Sequence, residues 1–247
     1  YLYGKNKDEH VASALIKARK YVFSVQQEDG SFIMYPEATE PLVEMTARGI
    51  ILASLFPSEF MTRKERERII GRGLIWLVKN QTEKGFFEDQ SYSWAETYPI
   101  SQVALSLFFL ERSPYVDSKP YISTIDAIKD KIIEYLKKAQ NVDGSYSSHQ
   151  NLLRDGEQQS TAYAVFTWTL LEPGSDSLIR AINYLISLQR PDRPAQSYPE
   201  GTGPRPIRYN DLAHGPIFVS IALLTTLVTC TVLSKSLITN ILNRQTT

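Results

Sequence analysis

Apolar and polar residues recur along the chain with a helical period, and the same short signature ends the pattern four times. Each copy places an aromatic residue and then an aliphatic residue shortly before a glutamine. The glutamines are Gln26, Gln81, Gln140 and Gln189, and the aromatic residues are Tyr21, Trp76, Tyr135 and Tyr184. Residues at these offsets lie on one face of a helix. The signature predicts four amphipathic helices that end near the glutamines.

A glycine and then an aromatic residue follow the first three glutamines. The glycines are Gly30, Gly85 and Gly144, and the aromatic residues are Phe32, Phe87 and Tyr146; the fourth copy has Arg193 at the glycine position. Glycine is the residue that most readily ends a helix in a left-handed conformation. We expect the three glycines to have positive φ and to end the helices, and the glutamine amides to satisfy open backbone groups there.

A second, more apolar helix is predicted between successive copies. These segments cover roughly residues 41–55, 94–110, 158–171 and 212–228, and a last helix covers roughly residues 233–243. Helix starts are indicated by capping-box patterns from Ser93 to Glu96 and from Thr62 to Glu65, by Pro41 in a first turn, and by Asp211 as an N-cap. The apolar helices should form an inner layer, with the more charged repeat helices outside.

Paired helices in two layers predict an all-α fold of the α/α-toroid type. We expect a single domain over residues 1–247, with four Gln-x-x-x-Gly repeats centred on residues 26, 81, 140 and 189. The pattern gives about nine helices, fewer than a closed ring of helical hairpins requires. The toroid should therefore be open or incomplete, or be completed by a partner domain or in a homodimer.

Composition narrows the classes of function. Among the 247 residues, 43% are hydrophobic, enough for a sizeable core, and 27 Lys and Arg balance 27 Asp and Glu. This balance argues against a nucleic-acid partner, which usually selects a basic surface. Cys230 is the one cysteine, so a disulfide framework and a multi-cysteine zinc site are excluded. We predict no cofactor and no metal. No signal-peptide pattern is present, and we expect a cytoplasmic protein.

One segment resembles a membrane span. Residues 216–234 carry no charge and are long enough to cross a bilayer, but they include several Thr and Ser and open with Pro216. These features favour a buried core helix over a membrane-embedded segment. Peripheral membrane association remains an alternative.

The repeat resembles the QW motif of squalene and oxidosqualene cyclases and the related repeats of protein prenyltransferase β subunits. The late region of triterpene cyclases is also similar, through Gly144-Ser145-Tyr146, the helix start at residues 158–164, and Gly201-Thr202-Gly203-Pro204. The resemblance covers roughly residues 10–230. It implies a terpenoid-cyclase-like enzyme of the isomerase or lyase type, acting on a polyprenyl or other long apolar substrate.

The acid motif of the family is altered here. Class II terpene cyclases open an inner helix with Asp-x-Asp-Asp-Thr-Ala, where this chain reads Leu42-Val43-Glu44-Met45-Thr46-Ala47. Glu44 stands where the family has its central proton-donating aspartate, and the flanking carboxylates are absent. Glu44 is therefore the candidate acid for protonation-initiated cyclisation. The alternative is an exposed or capping glutamate near a helix start.

Aromatic side chains are candidates for lining a hydrocarbon pocket, because their faces stabilise carbocations. They are Tyr35, Trp94, Tyr98, Tyr163 and Tyr198. Packing between helices is the alternative for each of them. Trp168 lies deep in its helix and is expected in the core.

Polar candidates cluster late in the chain. Asp211 and His214 share a helix face and form a candidate acid–base dyad. Their stretch resembles the one that holds the zinc-binding histidine of protein prenyltransferases. The Asp-x-Cys half of that zinc site is missing here. A capped helix start is the alternative. Arg205 and Arg208 lie in a Pro-rich loop over residues 195–210 and are candidates to bind a diphosphate or a carboxylate. Solvated surface arginines are the alternative.

Two other functions fit the pattern. A non-catalytic toroid that binds a lipid or a protein partner would explain the missing helices, because an incomplete ring exposes apolar surface. A carbohydrate-active α/α toroid would instead place His149, Arg205 and carboxylates together in an open groove.

Overall fold

The computed structural model describes residues 9–87, 96–147 and 158–188, and the regular secondary structure of these residues is helical. The helices are α1 (Glu9–Val25), α2 (Val43–Leu55), α3 (Arg63–Asn80), α4 (Thr97–Glu111), α5 (Ile122–Ala139), α6 (Gln158–Leu171) and α7 (Asp176–Ser187), with a 3₁₀ turn at Lys119–Tyr121. Between α1 and α2, isolated bridges pair Gln26 with Phe32 and Ile33 with Pro41.

The predicted order of helices is confirmed over this part of the chain. Helices α1, α3 and α5 end directly before the repeat glutamines Gln26, Gln81 and Gln140, and α2, α4 and α6 occupy the predicted apolar segments. The helices expected at residues 212–228 and 233–243, and the fourth repeat glutamine Gln189, lie outside the described residues.

The chain divides into two compact units. The first comprises Tyr1–Thr82 and Leu105–Ile128, and the second comprises Glu83–Ala104 and Lys129–Thr247. The single domain over residues 1–247 stays a prediction.

Burial separates the two kinds of helix as expected. In the first unit, α2 has eight buried residues, whereas α1 has only Val22 and Val25. In the second unit, α6 has eleven buried residues among its fourteen. The apolar segments between the repeats therefore supply much of the core, although the repeat helix α3 also buries seven of its eighteen residues, among them Arg66. Within the described ranges, no helix combines the length and apolar character needed to cross a bilayer; residues 216–234 fall outside those ranges.

The start of α3 follows the sequence pattern, and the start of α2 does not. The Thr62 hydroxyl accepts a hydrogen bond from the Glu65 N–H, and the Glu65 carboxylate accepts one from the Thr62 N–H at 2.9 Å. Pro41, expected in the first turn of α2, instead precedes the helix and bridges Ile33. The Leu42 N–H donates to the Phe32 carbonyl at 2.9 Å, so this stretch is held extended and the helix begins at Val43.

The repeat glycines have the positive φ that we predicted: 97° at Gly30, 99° at Gly85 and 92° at Gly144. Their expected role in ending the helices is wrong. Helix α3 ends at Asn80, and its C-cap Gln81 has an extended backbone. The glycine closes a turn after the helix, where the Gly30 N–H donates to the Gln27 carbonyl at 3.1 Å. An equivalent turn, closed by Gly144, follows α5.

Each glycine turn also lies directly against the outer helix of the next repeat. A Cβ atom added to Gly30 would come within 2.5 Å of Arg72 in α3, and one at Gly85 within 2.2 Å of the Lys131 carbonyl oxygen in α5. At Gly144 the Arg180 carbonyl oxygen in α7 would be 2.4 Å away. Glycine is thus required at these positions both by φ and by the close approach of a neighbouring backbone.

Two of the repeat glutamines, Gln81 and Gln140, bind the same neighbouring helices. The Gln81 side-chain amide donates to the Ile128 carbonyl at 3.3 Å, and that of Gln140 donates to the Ser177 carbonyl at 2.8 Å and to the Gly144 carbonyl at 3.1 Å. The glutamines therefore satisfy backbone groups in the next repeat as well as near their own helix end. The amide atoms of Gln26 are buried without a hydrogen-bond partner in the described part of the chain.

Candidate functional site

Glu44 is the second residue of α2 and is buried, with 4% of its surface exposed. This excludes the exposed glutamate that the sequence left as an alternative. The N-cap residue Leu42 makes no side-chain capping bond, and its backbone is extended. The first turn of a helix carries unpaired N–H groups and a partial positive charge, which stabilise a carboxylate there. Glu44 therefore lies where the protein can hold a buried acidic group.

A threonine two residues after Glu44 fixes the start of α2. The Thr46 hydroxyl accepts a hydrogen bond from the Phe32 N–H at 3.0 Å and donates to the Leu42 carbonyl at 2.9 Å. Phe32 follows the glycine turn, so this contact ties the turn to the first turn of the inner helix.

The same contact recurs in the second unit, where the Thr161 hydroxyl accepts from the Tyr146 N–H at 2.9 Å. Counting back two residues from Thr161 gives Gln159, which thus occupies in α6 the position that Glu44 has in α2. Sequence reasoning did not single out Gln159. The signal that could have found it is the shared offset from the threonine in each inner helix.

Gln159 belongs to a polar and aromatic cluster in the second unit. Its side-chain amide donates to the Tyr163 hydroxyl at 2.9 Å, and both residues are buried. The Tyr163 ring packs on the Tyr98 ring, with centroids 5.1 Å apart and planes inclined by 58°. Two of the predicted aromatic residues, one from α4 and one from α6, are therefore brought together.

Two further polar atoms at the starts of helices in this unit are buried without a hydrogen-bond partner among the described residues. They are the Thr97 hydroxyl at the start of α4 and the Gln158 side-chain oxygen at the start of α6. A buried polar atom without a partner costs roughly 1–3 kcal/mol, so such atoms often mark ligand or water sites. Both belong to first turns of helices that the sequence assigned to the inner layer.

Glu96, directly before α4, accepts a short hydrogen bond from the Tyr135 hydroxyl. Tyr135 is a repeat aromatic of α5, and its ring also contacts Phe86, with centroids 5.5 Å apart. Burial, reinforced by the Glu96 carboxylate, raises the pKa of Tyr135 well above its usual range. The phenol therefore remains a donor at neutral pH. The sequence had identified Glu96 only as part of a capping box.

The remaining candidates divide into exposed, core and undescribed residues. Tyr35 lies in the loop before α2 and is 51% exposed. Trp168 is fully buried, and its indole N–H donates to the Tyr146 hydroxyl at 2.8 Å, so it is a core residue as expected. The candidates outside the described residues are Trp94, His149, Tyr198, Arg205, Arg208, Asp211 and His214. In the part of the chain that the structure describes, no three His, Cys, Asp or Glu side chains are grouped to hold a metal ion.

Comparisons with known proteins bear on the family. No family model matches the chain. The drimenyl diphosphate synthase of Streptantibioticus cattleyicolor is 26% identical over 212 residues, which are 85% of this chain and 37% of that protein. The chain thus spans less than two fifths of the length of this relative.

Solved structures show the same fold. The ent-copalyl diphosphate synthase from Streptomyces platensis superposes with a TM-score of 0.58 at 19% identity, covering 83% of this chain and 36% of that one. A variant of the type II terpene cyclase MstE from Scytonema, in complex with its substrate geranylgeranyl dihydroxybenzoate, gives 0.51 at 17% identity over 86% of this chain and 66% of that one. The resemblance to terpenoid cyclases and the all-α toroid fold class predicted from the repeats are confirmed.

Proposed function

We propose that this chain is part of a terpenoid cyclase that protonates a polyprenyl substrate, with Glu44 as the acid. The observation that carries the proposal is the burial of Glu44 in the first turn of α2, at the position where the family's proton donor would stand. The similarity to a drimenyl diphosphate synthase over 85% of the chain supports the same chemistry. Because that relative is named for a diphosphate, a polyprenyl diphosphate is the proposed substrate.

The proposed first step transfers a proton from the Glu44 carboxyl group to a terminal alkene carbon. The O–H bond breaks, a C–H bond forms from the alkene π electrons, and a tertiary carbocation and a carboxylate result. Burial removes competing water, and the N–H groups at the start of α2 stabilise the carboxylate that forms. Cyclisation then proceeds by attack of further double bonds, and loss of a proton from the last cation ends the reaction.

Aromatic faces are the natural stabilisers of the cationic intermediates. Tyr98 and Tyr163 are the proposed contacts, because their rings already pack together beside the inner-helix starts of the second unit. Tyr35, Trp94 and Tyr198 remain candidates for the same role. Arg205 and Arg208 are proposed to bind the diphosphate, and Asp211 with His214 to act as an acid–base pair.

A non-catalytic toroid that binds a lipid or a protein partner is the second candidate. Leu42 and Met45 stand where the family's acid motif has its flanking aspartates, so Glu44 lacks the neighbouring carboxylates that accompany the family's acid. This departure is the observation that favours binding without turnover.

The test is product analysis by mass spectrometry after incubation with squalene and a series of polyprenyl diphosphates. We expect cyclised product from the unmodified chain, and a loss of about 100-fold or more in Glu44→Gln, the effect typical of removing a general acid. Glu59→Gln, a matched change at an exposed glutamate, should retain activity. Circular dichroism establishes that both variants fold.

Each result has a definite meaning. Equal activity in Glu44→Gln and Glu59→Gln would retain the enzyme and reject Glu44 as its acid. No product from any substrate, with the chain folded, would reject the enzyme and favour the binding toroid.

A further inference from the structure

The first unit contains a cavity of about 280 Å³ that none of the candidate catalytic residues lines. It lies between the first turn of α3 and the segment around the 3₁₀ turn Lys119–Tyr121. The charged and aromatic residues of its wall are Arg63, Arg66, Glu67, Tyr115, Asp117 and Tyr121. The volume lies just below that of ordinary ligand sites and suits only a compact small molecule.

Arg66 is the buried charge of this wall. It is 3% exposed, and its guanidinium donates to the Ala53 and Phe56 carbonyls, both at 2.6 Å. The Tyr115 ring lies over the guanidinium, with its centroid 5.3 Å from the central carbon. No carboxylate in the described part of the chain pairs with Arg66. The Glu65 carboxylate acts on the charge of Arg66 without a direct ion pair, and a buried guanidinium that lacks such a pair is stabilised by an anionic group that enters beside it.

Two carboxylates restrict which anion can enter. Glu67 is held by Arg63 at 2.6 Å, and an Asp117 oxygen accepts the Lys119 N–H at 3.1 Å. The wall therefore carries two positive and two negative side chains. A diphosphate would be repelled by Glu67 and Asp117, whereas a molecule with one negative and one positive group would match the wall.

The rest of the wall is aromatic. Tyr115 is 39% exposed, and Tyr121 packs over Gly71, where an added Cβ would be 3.7 Å from the ring. Burial raises the pKa of Tyr121, so its hydroxyl remains a hydrogen-bond donor at neutral pH. Rings of this kind pack against an apolar or aromatic ligand body.

We propose that this cavity binds a small zwitterion of the aromatic amino-acid type. The ligand carboxylate lies beside Arg66, the ammonium group lies towards Asp117, and the ring packs between Tyr115 and Tyr121. This site is independent of the proposed cyclase reaction, and its test involves no turnover.

The test uses L-phenylalanine as the probe, with binding measured by calorimetry and by the rise in melting temperature that a bound ligand produces. Phenylacetate lacks the ammonium group, phenethylamine lacks the carboxylate, and inorganic diphosphate represents a polyanion. We expect saturable binding of phenylalanine, binding weaker by about tenfold or more for phenylacetate and phenethylamine, and none for diphosphate.

The variant that isolates the ammonium contact is Asp117→Asn, because Asp117 is an exposed residue of the cavity wall. It should weaken phenylalanine binding by about tenfold, and it should leave phenylacetate binding unchanged or strengthen it, because a carboxylate that repels anions is removed. Asp126→Asn, the same change at an exposed aspartate outside the cavity, should alter neither the affinity for phenylalanine nor that for phenylacetate. Absence of phenylalanine binding, equal binding of phenylacetate, or an unchanged affinity in Asp117→Asn would each overturn the proposal.

Discussion

Replacing Gly144 by alanine should destabilise the chain strongly, for two separable reasons. Gly144 has a φ of 92°, a conformation that costs an L residue about 1–2 kcal/mol. The new Cβ would also lie 2.4 Å from the Arg180 carbonyl oxygen and 2.7 Å from its carbon, well inside van der Waals contact. Because the obstacle is helix backbone, relief requires α7 to move, and overpacking of this kind costs about 1–3 kcal/mol. The sum is about 2–5 kcal/mol.

The loss of stability in Gly144→Ala can be measured by thermal unfolding, followed through the helix signal in far-ultraviolet circular dichroism. For a chain of this size, 3 kcal/mol corresponds to a fall in melting temperature of about 6–12 °C. The matched control is Gly174→Ala, in an exposed turn of the same unit, where an added Cβ has no neighbour within 4 Å. It should be neutral or stabilise by up to about 1 kcal/mol. If Gly144→Ala melted within about 1 °C of this control, the turn would not require glycine and our account of the repeat would be wrong.

Two further predictions concern the hydrogen bonds at helix starts. Thr46→Val leaves the buried Phe32 N–H without its acceptor and should lower the free energy of unfolding in urea by about 1–3 kcal/mol. Thr46→Ser keeps the hydroxyl and should retain most of that stability. Equal stability of the two variants would refute this role of Thr46. Burial acts to raise the pKa of Glu65, but hydrogen bonds from Thr62 and Arg19 outweigh it, and the net shift is downward. The ionised Glu65 therefore stabilises the fold above the unfolded pKa of about 4.3, and this contribution is lost as pH falls through the lower folded pKa. Glu65→Gln should be less stable than the unmodified chain at pH 7 and equally stable in acid, and a constant difference from pH 7 to pH 3 would contradict the assignment.

The repeat made the fold predictable because its signals are local. An aromatic residue and an aliphatic residue before Gln81 fix a helix face, and Gly85 fixes a positive φ, without knowledge of the rest of the chain. The second reason that glycine is needed at position 85 could not be predicted from the local sequence, because the Lys131 carbonyl that approaches Gly85 comes from the next repeat. Pro41 misled for a similar reason: its neighbour Leu42 is held extended by Phe32, a contact that no local rule contains.

The candidate site was predictable only in part. Glu44 was found from its place in a motif, and its burial depends on packing that the motif does not encode. Tyr98 and Tyr163 were identified singly, and only the fold pairs them. The bond between Tyr135 and Glu96 was missed because both residues had a sufficient local explanation, one as a repeat aromatic and one as a capping residue.

The contacts of the glycine turns have a direction along the chain that bears on how the protein folds during synthesis. Gly144 and Gln140 contact α7, and Gly85 contacts α5, so each turn emerges from the ribosome before the helix that covers it. Every outer helix after the first can therefore dock onto a turn that is already made, in the manner of growth by nearest-neighbour addition. A chain engineered to stop before α7 would leave the last turn uncovered and the Gln140 amide without its Ser177 acceptor. Such a truncation should destabilise the third repeat more than the first, because the turn of the first repeat contacts α3, which the truncated chain still contains.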